Sequence, residues 1–430
     1  EHPDSILNFY CYADYTQPPG IIKKLNHNLC PWLAPIRYCR YHHIGHLQCP
    51  SRNQLQEIID KWTKVTDKFG YRTYNFNLAE CLVPYSKLAI WKHDIPYLKS
   101  KGCIGISLET LNNWLIYGPH IYLSIRLAYD PSADTDALME DYYLKFYGTE
   151  AGPIMKQYWS AIDREFDSLT CHSGSFYALH LVYTPQFLEF CQSLLDKAKT
   201  VANTDQHTLV RVNMASLGLQ NAAQYMQIRD AINKGEIASA KKQYQKLLGS
   251  VIQQNKSGLG NQYSVRYLQR FIGLHLNAVA RVAAPPNQVL QVLPDRWRLN
   301  YNSWDNGLKR GHHLLRFDDS SWIDVLTFSN TLNAQGLPDR KETMWYRTTF
   351  DLQNKPAGLS LFFMEIDGSS IVYLNGQKVG ECPKPRYPFE VDVTKTAVKG
   401  RNVLAVCIDH SHITELFLGG IIRPVFLLEK

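Results

Sequence analysis

The sequence predicts a multidomain chain: an α/β segment over residues 1–133, a helical segment over 134–285 and a β-sandwich over 286–430. Three observations carry that reading. In the first segment, short apolar and aromatic runs alternate with stretches of helical period, the pattern of a parallel sheet built from βα units. In the second, Gly and Pro thin out and apolar residues recur at i, i+3 and i+4. In the third, short strand-like runs follow one another with turn residues between them.

The first strand is read from SILNFYCYAD (Ser5 to Asp14), stopped by YADYTQPP, whose two prolines forbid continuation. LCPWLAPIR (Leu29 to Arg37), YRTYNFN (Tyr71 to Asn77) and CIGISLE (Cys103 to Glu109) supply three more. The expected parallel strands are thus residues 6–13, 29–35, 71–77 and 103–108. After the second, Ser51 and Gln54 form an S-x-x-Q capping box. The box opens a helix whose Leu55, Ile58, Ile59, Trp62, Val65 and Phe69 share one face. Another helix is expected over Tyr85 to Lys101, and PHIYLSIRLAYD follows the fourth strand. Each strand runs into polar residues: Asp14, then Arg37 with the histidines, then Asn77 and Glu80, then Glu109. In parallel βα architectures these C-terminal ends carry the chemistry, because the loops there converge on one mouth. Four units do not close an eight-stranded barrel, so the segment is either an open sheet or a chain that begins in mid-barrel.

EAGPIMKQYWSAIDREFDSL, TPQFLEFCQSLLDKAKTVA and KGEIASAKKQYQKLLGSVI give the helical segment its apolar faces. Pro285 and Pro286 punctuate its end. MWYRTTFDL, LSLFFMEID, SIVYLNGQKV, FEVDVT, NVLAVCID and IIRPVFLLE then read as strands, with turns at Asn375-Gly376 and Lys399-Gly400. Trp322, Trp345 and Tyr387 are read there as packing residues before sugar ligands.

Of the 430 residues, 45% are hydrophobic and 20% charged, as in ordinary globular protein, and no apolar run reaches the length of a membrane span. Of the net charge of +7, six come from residues 151–283, with 14 Lys/Arg against 8 Asp/Glu, where lysines such as Lys241, Lys242 and Lys246 fit a solvated helix face. No basic tract interleaves with aromatics, so no nucleic-acid partner is expected. Ten cysteines in so long a chain do not make a disulfide scaffold.

FDDSSW (Phe317 to Trp322), WYRTTFDL (Trp345 to Leu352), VYLNGQKVG (Val372 to Gly380), PFEVDVT (Pro388 to Thr394), GRNVLAVCID (Gly400 to Asp409) and GGIIRPVFL (Gly419 to Leu427) occur in that order. Together they resemble the galactose-binding-like jelly-roll domain of β-galactosidase-type glycoside hydrolases. YADYTQPP (Tyr12 to Pro19), APIRYCRYHHIGHLQCP (Ala34 to Pro50), YLSIRLAYDPSAD (Tyr122 to Asp134) and DYYLKFYGTEAGPIMKQYW (Asp141 to Trp159) resemble the domain of unknown function 4838. That family is found in glycosidase-like proteins with barrels related to those of α-glucuronidases and β-hexosaminidases. The resemblance implies the C-terminal half of a (β/α)8 barrel, with its first four strands upstream of Glu1. It also implies a carbohydrate substrate, no cofactor, and a periplasmic or extracellular location.

Hydrolysis of a glycosidic bond generally takes two carboxyl groups, one protonated and one ionised. Glu109 is the first candidate. It ends the fourth strand and precedes TLNNWLIYG, whose Trp114 and Tyr117 can stack on a sugar face; the competing reading is a partner for a nearby Arg. Glu80, three residues past its strand, is the second, with a helix cap as the competing reading. Asp14, between Tyr12 and Tyr15, suits hydrogen bonds to substrate, as does Asn77. In related barrels the general acid often follows the fourth strand, which the resemblance puts upstream of Glu1.

CRYHHIGHLQC (Cys39 to Cys49) raises the question of a metal. A structural zinc takes four Cys/His ligands and a catalytic one three. Gly45 and the preceding strand end argue against a helix that would converge His42 and His46, and no second cluster completes a set. The three imidazoles are therefore expected to diverge and the loop to carry no metal. Arg37, His42 and His43 then suit sugar hydroxyls or a substrate carboxylate, while Cys39 and Cys49 flank the loop where a disulfide would pin it. The reading is a glycoside hydrolase acting on a poly- or oligosaccharide through carboxylate acid/base chemistry. Its rivals are a carbohydrate-binding protein with a degenerate barrel and, more weakly, a metal-dependent hydrolase using His42, His43 and His46.

Overall fold

The computed structural model describes residues 4–76, 82–111, 113–171, 175–338, 340–411 and 418–430, without the side chains of residues 175 and 176. Asn77 and Glu80 lie outside the described residues. The chain forms two compact units, one of residues 1–223 and 250–265, the other of residues 224–249 and 266–430. The helical residues from 134 onward are divided between them.

In the first unit all four expected strands form. β1 (Leu7–Tyr12), β2 (Leu29–Ala34), β3 (Phe69–Tyr74) and β4 (Cys103–Glu109) are parallel and lie side by side in chain order. α1 (Pro50–Val65), α2 (Leu88–Ser100) and α3 (Trp114–Tyr129) follow β2, β3 and β4. Alternation sorts the side chains. Cys11, Leu33, Phe69, Tyr71 and Cys103 face one way and pack on Leu55, Ile58, Ile59 and Trp62 of α1 and on Leu98 of α2. Each large side chain buried there contributes about 1.5–3 kcal/mol. The register pairs Tyr10 with Trp32, Trp32 with Gly70, Gly70 with Gly105, and Tyr74 with Glu109, which sets these residues on the other face.

Two local expectations are corrected. The capping box at Ser51 does not form: α1 starts at Pro50, Cys49 is its N-cap, and the Ser51 hydroxyl accepts the Cys39 N–H at 2.9 Å. Phe69 belongs to β3, four residues past the end of α1. Trp114 and Tyr117, which follow β4, lie in α3.

α4 (Thr135–Asp167) is capped by Asp134, whose carboxylate accepts from the N–H groups of Asp136 and Ala137, and it kinks at Gly148, where φ is +75°. α5 (Leu179–Val182) and α6 (Pro185–Val201) follow, the latter with Thr184 as N-cap and Pro185 in its first turn. α7 (Gln206–Asn233), α8 (Ile237–Lys256), α9 (Gln262–Leu268) and α10 (Leu274–Val282) complete the helices. Among the described residues no helix is long and apolar enough to cross a membrane.

The second unit contains a β-sandwich-like pair of sheets. β5 (Gln288–Val292), β6 (Arg296–Asn302), β7 (Ile323–Leu326), β8 (Thr343–Leu352), β9 (Leu359–Phe363) and β10 (Ile366–Asp367) come first in the chain. β11 (Ser369–Leu374), β12 (Gln377–Cys382), β13 (Phe389–Asp392), β14 (Gly400–Asp409), β15 (Gly420–Ile421) and β16 (Val425–Glu429) follow. One sheet runs β12-β11-β14-β8-β6-β7 and the other β13-β9-β16-β5, and the inward residues of both, such as Tyr346, Val406, Leu361 and Leu427, share one core. All six expected strand runs lie in these sheets and in the β10-β15 pair. The Asn375-Gly376 hairpin has both residues at positive φ, 51° and 85°, as a type I′ turn demands. Trp322 and Trp345 are core, whereas Tyr387 is 49% exposed.

Candidate functional site

The face of the parallel sheet opposite α1 and α2 brings together residues from all four strands. Arg72 of β3 and Glu109 of β4 stand on that face two residues apart in register. The Arg72 guanidinium donates to Glu109 Oε2 twice, from Nε at 3.0 Å and from Nη2 at 2.6 Å. Its remaining reach goes to the Tyr10 and Ser107 hydroxyls, each at 3.4 Å, and its carbon sits 5.6 Å from the Tyr10 ring centre. Both partners are about one-third exposed, at 29% and 31%, so the pair meets solvent and any ligand on this face.

Beside it lies an aromatic platform. Trp32 rests flat across β3 because residue 70 is glycine: a Cβ there would stand 2.3 Å from Cδ2 and Cε2 of the indole. At Gly105 a Cβ would meet the same ring at 3.7 Å, ordinary contact. Trp32, Tyr10, Asn8, Phe9 and Ser107 line a cleft of about 240 Å³. Tyr10 is 51% exposed. The indole N–H of Trp32 is buried and has no hydrogen-bond partner among the described residues.

Nearer the strand ends, Tyr74 carries the Arg40 guanidinium over its ring at 4.6 Å. Burial pushes its hydroxyl up to about 12, with the Tyr12 and Glu109 charges acting in the same direction against Arg40. Lys87 is 4% exposed and donates to the Tyr74 carbonyl at 2.6 Å. Burial, with help from Arg40 and Arg52, pulls its ammonium well below the usual range. At the ends of β1 and β2, Asp14 and Arg37 pair at 2.5 Å; Asp14 is 83% exposed.

The other predicted residues lie elsewhere. His42 is 1% exposed, its Nδ1 3.4 Å from Cys39 Sγ and its Nε2 2.6 Å from the Leu169 carbonyl, so both nitrogens are engaged inside the protein. His43 bonds the Ile44 carbonyl and packs on His46 and on His93 of α2. Tyr117 is buried against Tyr85 and His120, and Trp114 packs near Phe146. The three imidazole rings pack together, but among the described residues their nitrogens do not gather into one ligand set: His42 groups with Cys39 and Cys49, and His43 with His93 and Asp94. His42 and His46 stack at 4.5 Å and His43 meets His46 at 5.0 Å, because Gly45 at φ +74° turns the chain back. Cys39 and Cys49 are both free thiols.

Tyr10, Trp32, Arg72 and Tyr74 were missed by the reading from sequence. The signal was strand parity: Arg72 is the one charged residue in FGYRTY, on the same parity as Gly70 and Tyr74.

Residues 1–160 match the family model described as "Domain of unknown function (DUF4838)", and residues 295–430 match "Glycosyl hydrolases family 2, sugar binding domain". The chain thus carries, in order, a segment similar to DUF4838 and a segment similar to the family 2 sugar-binding domain. A Formosa agariphila protein named "Putative beta-glucuronidase" is 27% identical over 129 residues, 26% of this chain and 16% of that protein. A Halalkalibacterium halodurans "Beta-galactosidase" is 27% identical over 147 residues, 28% of this chain and 14% of that protein. The chain thus spans a small part of the length of these relatives. A solved beta-glucuronidase from an uncultured Clostridium sp. has a TM-score of 0.29 at 24% identity, covering 33% of this chain and 29% of its own. The Ruminococcus gnavus enzyme in complex with D-glucaro-d-lactam has the same TM-score at 18% identity, again over 33% and 29%.

All the residues at the strand ends fall within the DUF4838 match. The segment matching the family 2 model has its own cleft of about 620 Å³, lined among others by Arg296, Arg298, Arg347, Arg401, Trp297 and Phe317. Two of its arginines are committed, Arg347 to Asp319 at 2.7 Å and Arg298 to Asp324 at 3.1 Å.

Proposed function

We propose that the DUF4838 segment is the C-terminal half of a (β/α)8 barrel and that the chain belongs to a glycoside hydrolase acting on a poly- or oligosaccharide. Four parallel βα units in sequential order support the barrel, since an open doubly wound sheet reverses its strand order at a switch point. The observation that carries the function is the Arg72–Glu109 pair beside the Trp32–Tyr10 cleft on one face of the sheet. A flat indole next to a half-exposed carboxylate suits a pyranose ring stacked with its bond near Glu109.

Paired as an anion, Glu109 fits the ionised member of the catalytic pair. Glu80 remains the other candidate within this sequence, with Asp14, Arg37 and Asn77 as hydroxyl or carboxylate contacts. The names of the two curated relatives support a β-linked uronide or hexoside, and the family resemblance supports a periplasmic or extracellular setting. The 286–430 sandwich acts as the accessory sugar-binding domain.

One observation favours the rival reading, a carbohydrate binder without turnover: both Arg72 donors already hold Glu109 Oε2. Turnover of aryl β-glucuronides and β-galactosides by the wild type and Glu109→Gln separates the two. Hydrolysis lost by a factor of about a thousand or more supports the enzyme. Binding without hydrolysis in either protein supports the binder.

A further inference from the structure

Three soft donors meet in a dry corner of the first unit. Cys39 Sγ, a ring nitrogen of His42 and Cys49 Sγ all lie within 4.8 Å of one another, and the three residues are 2%, 1% and 0% exposed. The Cys39 to His42 separation is 3.4 Å. Zinc–sulfur and zinc–nitrogen bonds of about 2.3 and 2.0–2.1 Å at a tetrahedral angle span an edge of about 3.6 Å, so this edge is already close to its ligated length.

The surroundings are those of a metal site. A carbonyl only accepts, so His42 Nε2, on the Leu169 carbonyl at 2.6 Å, carries the ring proton and Nδ1 keeps its lone pair facing the sulfur. Ligating imidazoles are commonly fixed by such a bond on the far nitrogen. The Tyr41 N–H donates to Cys39 Sγ at 3.3 Å, which supports a thiolate there. A further donor adjoins: the His46 ring stacks on His42, and its Nδ1 is buried without a partner among the described residues.

We propose that Cys39, His42 and Cys49 form a structural site for a thiophilic divalent cation of the zinc class. Binding displaces two thiol protons to solvent and leaves two thiolates and one neutral imidazole on the ion. The site ties the loop after β2, which carries Arg37 and Arg40, to the N-cap of α1 at Cys49 and, through His42, to the segment after α4 at Leu169. This is distinct from a metallohydrolase, since the ligands are buried and no substrate reaches them.

The test is metal content and cobalt spectroscopy of the 430-residue chain purified under reducing conditions. One equivalent of zinc per chain is expected. Cobalt replacement is expected to give a thiolate-to-metal charge-transfer band, lost in Cys39→Ser and Cys49→Ser and kept in Cys191→Ser. The wild-type band, its removal by chelator and its return on reloading give a readout that does not depend on the variants folding. Folded wild type that holds no zinc and takes up no cobalt overturns the proposal. So does a cobalt band that survives Cys39→Ser, or a Cys39–Cys49 disulfide in the reduced preparation.

Discussion

Gly70→Ala is a sharp probe of the sheet face. The new methyl would stand 2.3 Å from two atoms of the Trp32 ring, where carbon–carbon contact settles at about 3.5–4.0 Å. The indole must therefore lift by roughly 1 Å or more off β3, and its separation from Tyr10 changes with it. The backbone at Gly70 is not in the left-handed region, so the cost is steric, about 1–3 kcal/mol for an overpacked site. Urea unfolding measures it, and near-ultraviolet circular dichroism reports the indole's displacement. Trp32→Leu combined with Gly70→Ala is expected to recover about 1 kcal/mol or more relative to the sum of the single changes, because the clash is gone. Wild-type stability in Gly70→Ala, or strict additivity in the double variant, would refute the flat placement of Trp32.

His120 is 1% exposed, donates from Nε2 to the Asn75 carbonyl at 2.8 Å, and burial pulls its pKa from 6.5 down to about 3. The unfolded chain takes up a proton below about 6.5 that the folded chain refuses, so stability is complete above that pH. It falls by about 1.4 kcal/mol per unit toward pH 3, or about 2 kcal/mol at pH 5; His120→Gln should flatten the melting profile over that window, and an unchanged slope contradicts the assignment. Asp94, fully buried, holds Arg52 Nη2 at 3.2 Å and the Ile44 N–H at 2.8 Å. Asp94→Asn leaves the Arg52 charge buried beside Lys87 and Arg40, and chemical denaturation should register a loss of about 3–5 kcal/mol; a loss below 1 kcal/mol would show that the pair is dispensable.

The strands of the first unit were legible because alternation and prolines mark them locally, and so were the core positions of α1, from Leu55 to Val65. The site was legible only where it follows strand ends, as with Asp14, Arg37 and Glu109. What escaped depends on distant partners. Ser51 is a good capping residue, yet it serves the Cys39 amide instead of its own helix. His42 looks like a polar loop residue until Leu169, 127 positions on, takes its ring nitrogen. Trp32 becomes a platform only because Gly70, in the neighbouring strand, offers no side chain. The Arg72 to Glu109 pair follows from register between β3 and β4, which no local pattern encodes. The imidazole rings pack on one another where Gly45, read as a breaker of helix, turns the chain at φ +74°.

The claim that a sugar occupies the sheet face is tested most directly by locating the ligand itself. The measurement is a crystal structure of Glu109→Gln soaked with the aryl β-glucuronide or β-galactoside that the wild type binds. The account predicts a pyranose ring stacked on Trp32, with its anomeric carbon beside residue 109 and Arg72. A sugar held only in the arginine-lined cleft of the sandwich, with the Trp32 face empty at saturating ligand, would contradict it.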